Sequence, residues 1–60
     1  MYPVTVPLNK WFEYRKWLEH NYMFPMSEYL ARPDGGSGMV ISFFRESNQK
    51  HFVERWKHTF

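Results

Sequence analysis

The 60-residue chain contains no cysteine. A disulfide framework and a thiolate zinc site, the two usual supports of very small domains, are therefore excluded. It also has no apolar run near the roughly 20 residues needed to cross a bilayer, and its start lacks the basic and apolar pattern of a signal peptide. The expectation is a soluble, cytoplasmic protein with no membrane partner. One domain over residues 1–60 is expected, because a chain this short buries only about 60% of the surface it exposes when unfolded.

Aromatic side chains are abundant instead. Six Phe, three Trp and four Tyr make 22% of the residues, and each ring can bury on the order of 150–250 Å². So small an interior cannot enclose them all. Some rings are therefore expected at the surface, serving a partner.

Met39 to Trp56 shows a change of period. Met39, Ile41 and Phe43 alternate with Val40, Ser42 and Phe44. From Ser47 onward Phe52, Val53, Trp56 and Phe60 fall on one helical stripe. A strand over Met39 to Arg45 thus feeds a helix capped by Ser47. Upstream, Tyr2 to Val6 alternates as a short strand, and Pro3 and Pro7 share parity, which places it at the margin of a sheet. Asn9 is suited to cap a helix from about Lys10 to about Asn21, with Leu8, Trp11, Tyr14, Leu18 and Tyr22 as its core stripe. Trp17 projects away from that stripe.

Pro25 ends the first helical region. The bulky Met23-Phe24-Pro25-Met26 predicts a packed connection. Ser27 to Arg32 reads as a second strand, and Pro33-Asp34-Gly35-Gly36-Ser37-Gly38 is a strong turn signal leading into the third. The glycines lead into a strand and not a helix, so they are not a nucleotide phosphate loop. The order strand, helix, strand, strand, helix is an α+β domain, ferredoxin-like without its fourth strand. Right-handed crossover places the first and third strands side by side, the second outside the third, and both helices on one face of a three-stranded antiparallel or mixed sheet.

The chain resembles a class of small uncharacterised accessory proteins of tailed bacteriophages. The likeness rests on the N-terminal strand, the aromatic-rich helix and the ending Val40-Ile41-Ser42-Phe43-Phe44-Arg45-Glu46 followed by Phe52 and Arg55-Trp56. The resemblance implies an accessory role in a bacterial cytoplasm, exerted by contacting something larger. It supplies no catalytic or binding residues.

The residues give little support to catalysis. His51 and His58 lie about 10 Å apart by helical rise, too far to share a metal. Glu13 and Glu19 sit on different sides of their helix, and Glu46 and Glu54 have cations nearby. The serines have turn, strand or cap roles and no evident activating base. A non-enzymatic protein without catalytic residues, metal or cofactor is expected.

Binding has two candidate forms. With both helices on one face, the other face carries Thr5, Val40, Ser42 and Phe44. The second strand adds one of its two parities, either Tyr29 and Ala31 or Glu28, Leu30 and Arg32. Protein association, with a second copy or a larger partner, is the favoured reading, and Phe44, Val40, Trp17 and Tyr29 are its candidate contacts. The alternative is weak single-stranded nucleic-acid binding, with rings stacking bases and cations meeting phosphates. The charges up to Phe44 balance. From Arg45 onward Arg45, Lys50, Arg55 and Lys57 outnumber Glu46 and Glu54, so the formal net charge of +2 sits in the last helix as a basic patch. No basic-Gly-aromatic signature of small RNA-binding sheets is present.

Overall fold

A computed structural model describes residues 1–58. Strand β1 (Tyr2–Pro7) passes through a 3-10 turn (Leu8–Lys10) into helix α1 (Trp11–His20). Strands β2 (Tyr29–Pro33) and β3 (Gly38–Phe43) follow, and helix α2 (Glu46–Trp56) closes the order. The sheet order is β1-β3-β2, and both pairings are antiparallel. This is the expected α+β arrangement.

The registers decide which side chains point inward. Val4 pairs with Ile41 and Val6 with Met39 on one side of β3, while Tyr29 pairs with Phe43 and Ala31 with Ile41 on the other. Val6, Tyr29, Met39, Ile41 and Phe43 are buried together with Tyr14 and Leu18 of α1 and Phe52 of α2. Both helices therefore cover the same face. Phe52 packs its ring 5.6 Å from that of Tyr14 and 5.4 Å from that of Phe43. Burying such a ring contributes about 1.5–3 kcal/mol.

Backbone bonds place prolines on both outer edges. Leu8 N–H donates to Ser37 O, which continues the β1–β3 ladder and leaves Pro3, Thr5 and Pro7 with their amide positions turned from β3. On the other side, Phe44 N–H donates to Glu28 O and Asp34 N–H to Gly38 O, so Pro33 also faces outward. The proline rings thus remove donors only where no ladder partner exists. Met26 N–H donates to Tyr29 O and covers part of the β2 edge.

The element boundaries depart from the sequence reading at several points. Asn9 does not cap α1: Pro7 and the Leu8–Ser37 bond draw Asn9 into the 3-10 turn, and Lys10 precedes the helix without a side-chain cap bond. Leu8 is exposed as a result. Tyr22 also leaves the core stripe. Met23 N–H donates to Leu18 O and Tyr22 N–H to Glu19 O, the two bonds of a Schellman ending, and Tyr22 takes the left-handed position at φ 60°. Its ring is 82% exposed, while Met23 buries itself near Leu18. Phe24 and Met26 are exposed, so the expected packed connection reduces to Met23.

Strand β2 starts at Tyr29 because Ser27 and Glu28 N–H groups turn back to Phe24 O. Strand β3 ends at Phe43. Helix α2 begins at Glu46 with Arg45 as its cap, and Ser47 lies inside the first turn. The predicted stripe position Phe60 lies outside the described residues.

Candidate functional site: the open face of the sheet

No described element covers the second face of the sheet. Three rows cross it. Pro3, Ser42 and Leu30 form one, Thr5, Val40 and Arg32 the next, and Pro7 and Gly38 the third. Phe44 follows Ser42 beyond the end of β3, tied by its N–H to Glu28 O. Leu30 is 42% and Phe44 37% exposed, and Val40 is half-buried between its strand neighbours. Leu30, Val40 and Phe44 are thus the apolar members of this half of the face, around the hydroxyl of Ser42.

Charge adjoins both ends: Glu28, bonded through its carbonyl to Phe44 N–H, meets Arg45 at 3.9 Å, and Arg32 and Asp34 lie toward Gly38. Asp34 Oδ1 accepts the N–H of Gly36 at 2.8 Å and of Gly38 at 3.2 Å, which folds the carboxylate over the strand. A Cβ at Gly38 would collide with Asp34 Oδ2 and stand 3.3 Å from Thr5 Cγ2, so a larger residue there would displace the Asp34 carboxylate. Arg32, one row away, forms no ion pair with any described residue. An open depression of about 720 Å³ adjoins this end, lined in part by Thr5, Pro7, Leu8 and Asp34. Its one carboxylate, that of Asp34, accepts two loop amides through Oδ1.

Of the four predicted contacts, Val40 and Phe44 lie on the open face, about 13 Å apart by strand rise, and Tyr29 and Trp17 do not. Tyr29 is 1% exposed. Its register with Phe43 turns it inward, so the β2 parity on the open face is Leu30 and Arg32. Trp17 packs against α2, its ring 5.0 Å from His51, 5.8 Å from Phe52 and 6.5 Å from Trp56. It is a half-buried joint between helices.

The basic patch is dispersed. Arg45 lies 3.9 Å from Glu28, Lys50 3.8 Å from Glu46 and Lys57 3.0 Å from Glu54, while Arg55 stacks 4.4 Å over the Trp56 ring. Three of its four cations are locally balanced. Among the described residues no three His, Cys, Asp or Glu side chains converge as metal ligands, and no helix is long and apolar enough to cross a membrane.

Asp34 escaped the sequence reading of the site. An Asp two residues ahead of a glycine in a turn accepts that glycine's N–H, a pattern legible in Asp34-Gly35-Gly36.

Tyr29 lies buried near Arg15 and Glu19 of α1. Burial pushes its phenol above the ordinary value of 10.0, with Arg15 lowering it and Glu19 raising it. Its hydroxyl has no hydrogen-bond partner among the described residues. The folded state therefore holds the proton more tightly. This contribution is level below pH 10 and is lost as pH climbs from there toward the raised folded value, because the unfolded chain ionises first. Tyr29→Phe is expected to flatten the fall in melting temperature above about pH 10. At pH 7 it should leave stability unchanged or raise it by about 1 kcal/mol, since a buried hydroxyl without a partner is removed. Thermal melts of both proteins across pH check both expectations.

No protein-family model, curated protein or solved structure matches the chain.

Proposed function

We propose that the protein is a non-enzymatic association module that binds another protein surface through the open face of its sheet. The observation that carries this reading is the presence of Leu30, Val40 and Phe44 on the one face of the sheet that neither helix covers. Small domains rarely leave neighbouring apolar side chains on a sheet in water without use. The resemblance to phage accessory proteins makes a bacterial cytoplasm the proposed setting.

Nucleic-acid binding has less to support it. Base stacking needs several rings on the face, and the open rows carry only Phe44 beside mostly paired cations.

Val40→Asp and Phe44→Asp are expected to keep the fold, because both side chains point from the core. Each should lower retention of bacterial proteins on the immobilised chain by about tenfold, as expected when a charge is forced into an apolar contact. Quantitative mass spectrometry of the retained proteins, with circular dichroism of each variant, gives the comparison. Unchanged retention with both folded variants would remove the face from the function.

A further inference from the structure

We propose that Asp34-Gly35 is a site of spontaneous backbone modification aided by the loop's own amides: the Gly35 nitrogen closes on the Asp34 side-chain carboxyl to a succinimide, which water reopens to isoaspartate. The site lies in the loop between β2 and β3 and is independent of what the open face binds.

The loop holds each part that the reaction needs. The electrophile is Asp34 Cγ, whose Oδ1 accepts the Gly36 N–H at 2.8 Å and so closes a short ring of atoms containing both Cγ and the Gly35 nitrogen. The carboxyl is thereby folded back over its own following peptide. The nucleophile is the Gly35 nitrogen, whose N–H donates to no described residue and gives up no bond on reacting. Nothing stands within 4 Å of where a Gly35 Cβ would be, and a glycine at φ +92° can readjust as the ring closes. The last part is a pair of donors. Gly36 N–H and, at 3.2 Å, Gly38 N–H both point at Oδ1, the oxygen on which charge gathers when nitrogen adds to Cγ. Gly38 leaves room for this placement, since a Cβ on it would collide with Asp34 Oδ2.

The atoms balance without a co-reactant. The bond from Gly35 N to Asp34 Cγ forms, and Oδ2 departs as water with its own proton and the one from the Gly35 nitrogen. Water then adds to the Asp34 main-chain carbonyl carbon and breaks its bond to that nitrogen. The chain now runs through Cγ, the free carboxylate sits on Cα, and the total mass is unchanged. Gly36 and Gly38 lose their shared acceptor.

Fresh and warm-incubated protein are compared by liquid chromatography with mass spectrometry, and by digestion with an endoprotease that cuts before aspartate but not before isoaspartate. A species of unchanged mass that resists cleavage between Pro33 and Asp34 is expected to accumulate, preceded by one lighter by a water. Asp34→Glu, which would need a larger ring, should accumulate neither. An oxyanion donor is worth about 10²–10³ in rate. These donors already bind the carboxylate before reaction, so the folded protein is expected to convert only about tenfold faster than the same chain in guanidinium chloride. Gly38→Ala keeps the Asp34-Gly35 pair and displaces the carboxylate, so it should erase most of that advantage. Circular dichroism checks that this variant folds.

No conversion in the folded protein, or conversion no faster than in guanidinium chloride, overturns the proposal whether or not Gly38→Ala folds. Conversion as fast in a folded Gly38→Ala protein as in the natural chain removes the two amides from the reaction.

Discussion

Phe52→Ala is expected to lower the melting temperature by about 15–30 °C, the largest effect of any single truncation proposed for this protein. Phe52 is the one fully buried side chain of α2 among the described residues. Its ring touches Tyr14 of α1 and Phe43 of β3, and lies 5.8 Å from Trp17. Truncation removes the contact through which the last helix meets both other layers. Deleting a buried Phe costs about 3–5 kcal/mol, because the transfer term is joined by that of the cavity. A domain of this length has a total stability of about 3–9 kcal/mol, so a substantial unfolded population should be present at 25 °C. Urea unfolding followed by circular dichroism measures the loss. Phe52→Leu, which refills part of the space, should recover more than half of it. A melting temperature unchanged by Phe52→Ala would mean that α2 does not pack where the structure puts it.

Trp17→Ala is expected to cost about 2–3 kcal/mol, somewhat below the range for a fully buried Trp because this ring is half-covered. Trp17 fills the seam between the helices, edge-on to His51, Phe52 and Trp56. Its loss should couple with that of Phe52, so the double variant falls short of the summed single effects by about 0.5–3 kcal/mol. Denaturant melts of the four proteins in the cycle give that coupling. This measurement also separates two roles for the ring. A joint between helices loses stability on truncation and leaves association of the folded protein intact, whereas a docking contact does the reverse.

The fates of Trp17 and Tyr29 show how far the sequence could be read. Strand order and the placement of both helices were legible, because period and the handedness of crossovers depend on local residues and chain connectivity. The parity of β2 was not. Its residues Tyr29 to Arg32 mix rings, aliphatics and charge on both sides, and only the pairing of Tyr29 with Phe43 turns Leu30 and Arg32 outward. Trp17 was misplaced for a related reason: a helical wheel drawn for α1 alone has no knowledge of α2, which lies against its flank and supplies three partners for the ring. Tyr22 failed through backbone geometry. A Schellman ending at a residue other than glycine carries no compositional mark, so the apparent stripe ran one turn too long. Val40 and Phe44 were legible as outward residues because β3 is the central strand, where alternation is least ambiguous.

The three outward prolines limit how this protein can assemble. Pro3 and Pro7 on one border and Pro33 on the other withhold donors that an incoming strand would use, while Thr5 and Ala31 keep their outward N–H groups, so strand addition is hindered at both borders without being abolished. An unguarded three-stranded sheet exposes an unbroken row of donors along each border, and here a proline interrupts that row on both sides.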